Sequence, residues 1–421
     1  MKKLPPFKNS KLLAPLREAV GRLLAKPRLI TAPAPRVVIF IGHFKTGSTS
    51  IQNFLASNYL RLLQAGILYP SVDAQGVARN MQILLSGADR STVGSGLNVI
   101  EPHNALALRL KTEEDGHGVP PYYPNVPDGF QMLELLRNQV EALRPRTVIL
   151  CAEVFALLGM TPNRSGVMRL AQLFGTYDVT IHCNLRRPDE YLSSWHRQRL
   201  KFGSKIRRLS DGGFKGYLGT PHVEQAQMIE GWRTDHFPDA ELVIRNFDDV
   251  RAAGGSITDF VEHSGVSFPK NLVIPKDQNP SIPSAFAEIG RRAVHDLDPQ
   301  LARRTVQWLT RARTRVDHPS DSEVEMLGRT NRDVLVRAFA RIGPHLDQLS
   351  GRTPFYPNLT ELGVLSPVDD LDAAERALPL LLKDASGHGL PDDIIVWLRD
   401  LAEQGSLRER SMPASGAANS K

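Results

Sequence analysis

The chain has 421 residues, 41% of them hydrophobic and 23% charged, and only two cysteines, Cys151 and Cys183. This composition indicates a globular fold and excludes a disordered, collagen-like or disulfide-rich chain. The net charge of +7 is local, because residues 1–36 carry nine basic residues and one acidic residue, so the remainder sums to −1. We therefore expect no nucleic-acid partner.

Residues 1–35 are interpreted as a basic amphipathic N-terminal arm. Apolar side chains recur in it at helical spacing: Leu12, Leu13, Leu16, Val20, Leu23 and Leu24. Such a helix either makes peripheral contact with an anionic membrane surface through residues 1–30 or is an ordinary docked or solvated helix. The chain shows neither a run long enough to span a membrane nor a signal-peptide core, which predicts a cytoplasmic location, with or without that membrane contact.

The first regular element is a strand, turn and helix over residues 36–55. Residues 37–41 are uninterrupted apolar and mostly β-branched, as expected of a central parallel strand. Gly42 and Gly47 bound the turn, where glycine allows successive backbone N–H groups to converge on an anion. Lys45 adds a positive charge, and hydroxyl residues begin the helix: Ser48, Thr49 and Ser50. The stretch is therefore predicted to be a phosphate-binding loop.

This loop departs from the P-loop pattern of nucleoside triphosphatases. In that pattern the lysine follows the second glycine, whereas here Lys45 precedes Gly47 and Ser48 follows it. A triphosphatase would therefore lack its usual phosphate lysine. A P-loop kinase or nucleotidase stays open as an alternative.

A short strand is predicted at residues 67–69, which completes a βαβ unit. Residues 71–127 are rich in glycine, proline and polar residues and are interpreted as an insertion, with helices near residues 77–85 and 104–110. Because irregular insertions often surround binding sites, we expect this one to form the mouth for an acceptor substrate.

After this insertion, predicted helices and strands alternate again. Helices are predicted over residues 130–143 and 168–174, and strands over residues 147–152 and 179–185. The alternation predicts an α/β protein with a three-layer parallel sheet, a P-loop-like strand-turn-helix and helical C-terminal additions. Ligands bind at the carboxyl ends of such strands, where we expect Lys45, Glu153 and Arg186.

Pro188 opens a helix predicted to reach residue 201, with Ser194 inside it. Its basic residues His196, Arg197, Arg199 and Lys201 are interpreted either as a solvated face or as a face that attracts an anionic acceptor.

The order Lys45-Thr-Gly-Ser-Thr-Ser50, together with Arg186-x-Pro188 and Ser194, resembles the sulfotransferase family, whose donor is 3′-phosphoadenosine 5′-phosphosulfate (PAPS). The resemblance covers about residues 36–313. It implies that the 5′-phosphate is held by the loop residues: Lys45, Thr46, Gly47, Ser48, Thr49 and Ser50. It also implies that Arg186 and Ser194 hold the 3′-phosphate. No metal is required.

The catalytic roles are predicted from position. Lys45 would neutralise the charge that develops on the leaving oxygen. Glu153 would either remove the acceptor's proton or position a loop or Lys45, and His43 is the competing base. The acceptor is expected to be a carbohydrate, a glycolipid or another small molecule with a hydroxyl or amine. A non-catalytic binding module is the remaining alternative.

The later chain is predicted to be mainly helical. A strand is expected at residues 241–249, a long helix from residue 277 to 313, further helices to residue 349, and two more within residues 366–403. Residues 411–421 are small and polar and are predicted to be disordered. These patterns suggest one α/β domain over residues 36–350 and a helical segment over residues 351–421. The oligomeric state cannot be read from them.

Overall fold

The structure is a computed structural model that describes residues 35–86, 97–120, 123, 125–233, 236–275, 281–403 and 407–408. The predicted N-terminal arm, its membrane contact and the predicted disordered tail lie outside the described residues. No helix in the described ranges is both long and apolar enough to cross a membrane.

The first half of the chain alternates strands and helices. In order these are β1 (Arg36–Phe40), α1 (Ser48–Ser57), α2 (Tyr59–Gln64), β2 (Ile67–Leu68), α3 (Ala74–Ser86), α4 (Leu97–Ile100), α5 (Pro102–Asp115), α6 (Gly129–Leu143), β3 (Thr147–Cys151), α7 (Phe155–Leu158), α8 (Ser165–Phe174), β4 (Asp178–Leu185) and α9 (Pro188–Lys201).

The second half is mostly helical. It comprises a 3-10 helix (Gly213–Tyr217), α10 (Gln225–Arg233), β5 (Glu241–Asn246), α11 (Phe247–Ala252), α12 (Ser256–His263), a 3-10 helix (Ser284–Phe286), α13 (Ala287–Asp296), α14 (Pro299–Ala312), β6 (Val324–Glu325), α15 (Arg329–Ser350), a 3-10 helix (Leu359–Gly363), β7 (Val368–Asp369), α16 (Asp370–Ser386) and α17 (Asp392–Glu403).

Five strands form one parallel sheet in the order β2-β3-β1-β4-β5. β1 lies between β3 and β4, with Val38 opposite Ile149 on one side and Thr180 on the other. Residues 37–40 are fully buried on both faces of the sheet, which explains their uninterrupted apolar sequence. The predicted α/β class with a central parallel sheet is confirmed.

One face of this sheet packs against α1 and α12. Val38 and Phe40 from β1 meet Ile51 and Phe54 from α1 and Phe260 from α12 in a single buried cluster. Burying each such side chain contributes about 1.5–3 kcal/mol. The packing therefore holds the start of α1 firmly against the end of β1.

Two predicted elements were wrong in extent. The strand expected over residues 241–249 ends at Asn246, whose side chain accepts a hydrogen bond from the Asp248 backbone N–H (2.9 Å) and starts α11. The long helix expected to reach residue 313 is divided, because the Asp298 side chain caps a new helix that begins at Pro299.

The described contacts divide the chain into two compact units that interleave along the sequence. The first contains Met1–Leu185 and Gln227–Lys276, and the second contains Arg186–Ala226 and Asp277–Lys421. The consecutive domains suggested by the sequence stay predictions. The role of residues 71–127 as the mouth for an acceptor substrate also stays a prediction. Within the first unit, α5 from that segment is largely buried and packs against α7 and α8.

Candidate functional site

The loop between β1 and α1 has an unusual backbone. Gly42 (φ 107°) and Gly47 (φ 85°) both adopt positive φ values, and so does Lys45 (φ 59°). Positive φ is costly for a residue with a side chain, so a lysine held there depends on contacts that fix the loop around it.

Hydrogen bonds with β4 extend beyond the end of β1 and hold the loop. The His43 N–H donates to the Asn184 carbonyl (2.9 Å), and the Asn184 N–H donates to the Gly42 carbonyl (2.8 Å). Inside the loop, the Thr46 hydroxyl donates to the His43 carbonyl (2.6 Å). Thr46 is therefore a structural member of the loop, and its hydroxyl already has an acceptor.

Gly47 is required at its position for a second reason. A Cβ atom there would lie 1.9 Å from Ser256 Oγ and 2.6 Å from its Cβ. The Ser256 hydroxyl donates to the Thr46 carbonyl (3.0 Å), so the start of α12 packs directly on the loop. Ser256 was not found by sequence reasoning, because nothing in its local pattern links it to a loop about 210 positions earlier.

The start of α1 is suited to an anion. Gly47 is its N-cap, no side-chain hydrogen bond caps it in the described part of the chain, and its first turn contains no acidic residue. The positive end of the helix dipole and the first-turn N–H groups favour negative charge there. The remaining hydroxyl residues of the predicted site, Ser48, Thr49 and Ser50, lie in this turn.

Glu153 lies beside the loop, two residues beyond the end of β3. A Cβ atom on Gly42 would lie 3.0 Å from Glu153 Cα, so the two backbones are in contact. The Glu153 side chain is half-buried, whereas His43 is fully buried. The Glu153 side chain is therefore the more exposed of the two candidate bases.

A second carboxylate lies next to Glu153 and was missed by sequence reasoning. Asn104 Nδ2 donates to Glu101 Oε2 (2.9 Å) and lies 3.5 Å from Glu153 Oε1. Burial, followed by the charge of Glu153, raises the pKa of Glu101 to about 7. Glu101 precedes α5, inside the segment interpreted as an insertion, where no motif marks it.

Arg186 and Ser194 belong to the second unit. Arg186 directly follows β4 in the chain, and its Nε and Nη2 atoms donate to Glu190 Oε2 (3.0 and 2.9 Å). Its backbone carbonyl accepts from Gln225 Nε2 (3.2 Å) and from the Tyr356 hydroxyl (3.0 Å). Ser194 lies in α9 with 5% of its surface exposed.

The neighbouring Arg187 has a different environment. It is largely buried, donates to Asp189 Oδ1 (2.8 Å) and also pairs with Glu361. Burial lowers the pKa of Arg187, but the hydrogen bond and charge of Asp189 outweigh it, so the net pKa is raised. Arg187 is thus committed to an internal ion cluster that also includes Arg332.

The structure places the loop residues and Glu153 in the first unit and Arg186 with Ser194 in the second. Their common placement at one edge of the sheet stays a prediction. Within the described ranges, no group of three or more His, Cys, Asp or Glu side chains is arranged to hold a metal ion.

Comparison with known proteins gives distant structural similarities. No protein-family model and no curated protein sequence matches the chain. A sulfotransferase from Alicyclobacillus acidocaldarius is similar over 77% of this chain and 97% of its own, with 11% identity and a TM-score of 0.40.

Two further solved structures are similar at 14% identity. The sulfotransferase domain from the curacin biosynthetic pathway matches 59% of this chain and 79% of its own (TM-score 0.31). The sulfotransferase domain of the Synechococcus PCC 7002 olefin synthase matches 75% of this chain and 97% of its own (TM-score 0.30). At this distance, an activity for the chain has to be argued from its own residues.

Proposed function

We propose that the protein is a sulfotransferase that moves a sulfuryl group from PAPS to a hydroxyl or amine of an acceptor such as a carbohydrate or glycolipid. The observation that carries the proposal is the loop between β1 and α1, in which Lys45 precedes the left-handed Gly47 at the uncapped start of a helix. That arrangement suits an anionic group of a donor.

The position of Lys45 supports sulfuryl transfer over triphosphate chemistry. A lysine before the second glycine lies within the loop, whereas the lysine of a triphosphatase follows it at the start of the helix. PAPS supplies an activated sulfuryl group whose departure leaves negative charge on a phosphate oxygen. Lys45 would stabilise that charge in the transition state.

The remaining assignments extend this proposal to the named residues. The backbone of the loop and the first turn of α1 would hold the 5′-phosphate, with hydroxyl contacts from Ser48, Thr49 and Ser50. The resemblance assigns the 3′-phosphate to Arg186 and Ser194, and the half-buried guanidinium of Arg186 suits that role better than the buried Arg187. Glu153 would act as the base.

Transfer of ³⁵S-sulfate from labelled PAPS to molecules of a cell extract tests the activity. We expect the Lys45→Ala variant to lose about 10²–10³-fold in rate, as other enzymes do when an oxyanion-stabilising donor is removed. Lys270→Ala is the matched control, because Lys270 is an exposed lysine of the same unit. Equal transfer by the Lys45→Ala and Lys270→Ala proteins would contradict the role of Lys45, and no transfer by wild type would contradict the activity.

A further inference from the structure

A cluster of side-chain oxygens lies at the carboxyl end of β3, within the first unit. The amide of Asn104 lies between two carboxylates, 2.9 Å from Glu101 Oε2 and 3.5 Å from Glu153 Oε1. An amide nitrogen carries two hydrogens and can serve both neighbours. The charge of Glu153 is therefore close enough to raise the pKa of Glu101.

Two oxygens of this cluster lack hydrogen-bond donors. Asn104 is 3% exposed, and its Oδ1 atom has no hydrogen-bond partner within the part of the chain that the structure describes. The same holds for the buried Oε2 atom of Glu153. An unpaired buried acceptor is destabilising, and a bound molecule with donor groups would offset that cost. The cluster thus suits hydroxyl or ammonium groups and disfavours anions.

Two ionisable groups beside the two carboxyls, His103 and Cys151, carry no charge that would neutralise them. Burial lowers the pKa of His103 to about 3, so this ring stays neutral, and its Nδ1 accepts the Cys151 backbone N–H (3.1 Å). Burial raises the pKa of the Cys151 thiol, and the charges of Glu153 and Glu101 raise it further. Hydrogen bonds from Asn104 and Tyr123 only partly offset the raised pKa of Glu101.

We propose that Glu101 and Glu153 act as one pair joined through the Asn104 amide, in which Glu153 takes the acceptor's proton and Glu101 is the positioning residue that holds the amide against it. As the acceptor oxygen or nitrogen bonds to sulfur, the bond from sulfur to the bridging oxygen breaks and its electron pair stays on the departing phosphate. The acceptor's proton moves to Glu153 and is later released to solvent. This inference rests on the proposed function and adds that the acceptor is rich in hydroxyl or ammonium groups and is not an anion.

Carbon-13 NMR of the full chain labelled at the glutamate carboxyl carbons tests the pair directly. A titration of wild type should show a carboxyl change centred near pH 7, as expected from the raised pKa of Glu101. Glu101→Gln should abolish that change, and Glu153→Gln should move it to lower pH, since the charge of Glu153 adds to burial in raising the pKa of Glu101. Glu141→Gln, which removes an exposed carboxylate of the same unit, should leave the change in place.

Two kinds of result would overturn the pair. One is a wild-type protein with no carboxyl that titrates near neutral pH. The other is a neutral titration that persists in the Glu101→Gln protein or is unchanged in the Glu153→Gln protein. Thermal unfolding of the same samples with 3′,5′-adenosine bisphosphate separates this outcome from the activity. Stabilisation by the bisphosphate without the neutral titration overturns the pair alone, and the neutral titration without stabilisation supports the pair but overturns the proposed donor.

Discussion

Two strand-to-helix junctions of the molecule share a topology and differ in their electrostatics. At the first, β1 leads through Gly47 into α1, whose first turn has no acidic residue. At the second, β4 leads through Arg187 into α9, whose first turn contains Asp189 and Glu190. The α9 start thus has carboxylates of its own, which Arg187 and Arg186 neutralise, whereas the α1 start leaves its dipole available to an external anion.

The difference shows that a helix start at the end of a parallel strand is not by itself a binding site. The local side chains decide whether the positive end of the dipole stabilises the fold or attracts a ligand. The same comparison distinguishes two adjacent arginines. Arg187 is largely buried in a structural ion cluster, whereas Arg186 is half-buried and pairs with Glu190.

The largest expected effect is the loss of the buried arginine. Arg187→Ala leaves Asp189 without one of its buried partners, so we expect the free energy of unfolding to fall by about 3–5 kcal/mol. Chemical denaturation measures this. Arg186→Ala is the matched change at the half-buried site, and it should cost less than about 1 kcal/mol. Similar losses in both variants would remove the distinction between the two arginines.

The second prediction concerns an acidic residue introduced into the first turn of α1, where α9 has two. Thr49→Asp places a carboxylate in the first turn, where it would repel the 5′-phosphate at short range. We expect the affinity for 3′,5′-adenosine bisphosphate to fall about 10²-fold, corresponding to roughly 3 kcal/mol. Thr49→Asn has a similar size and no charge, and calorimetry should find its affinity within a few-fold of wild type. A Thr49→Asp protein that binds as tightly as the Asn variant would show that no anion binds at this helix start.

The third prediction concerns the close approach of Ser256 to the loop. Gly47→Ala and Gly116→Ala both place a side chain at positive φ, but only the first meets a neighbour within 4 Å. We expect Gly47→Ala to destabilise by about 1–3 kcal/mol more than Gly116→Ala, as overpacked substitutions do. Adding Ser256→Gly, which removes the colliding atoms, should recover most of the difference in denaturation experiments. No recovery would mean that the cost is purely conformational.

The smallest expected effect is at Glu190. If Arg186 binds the 3′-phosphate, it must share or leave its bond to Glu190, so Glu190→Gln should tighten bisphosphate binding about three-fold, or 0.6 kcal/mol. Glu134→Gln, at an exposed arginine pair in the first unit, serves as the control. Weaker binding by the Glu190→Gln protein would indicate that Glu190 positions Arg186 for the ligand.

The sheet and the loop were predictable because their signals are local. Residues 37–41 are apolar in an unbroken run, and two glycines lie on either side of Lys45. The partners that complete the site are distant in sequence and carry no pattern. Ser256 lies far along the chain from the loop, and the shared amide of Asn104 falls in a segment that composition marks as irregular.

The predicted solvated face of α9 was wrong at two of its four residues, His196 and Arg197, for the same reason. Arg197 is 5% exposed and donates to Asp321 Oδ2 (2.9 Å), a partner 124 positions away, and burial lowers its pKa. His196 is also buried, and burial lowers its pKa to about 3. A run of basic residues on a helix does not reveal whether a later carboxylate will cover it.

Calorimetric titration with 3′,5′-adenosine bisphosphate, 5′-AMP and ATP with magnesium tests the central claim most directly. The first two ligands differ only in the 3′-phosphate. We predict that the bisphosphate binds at least about ten-fold more tightly than 5′-AMP, a difference of 1.4 kcal/mol, and more tightly than ATP with magnesium. Equal affinity for the bisphosphate and 5′-AMP, or tighter binding of ATP with magnesium, would contradict a site built for PAPS.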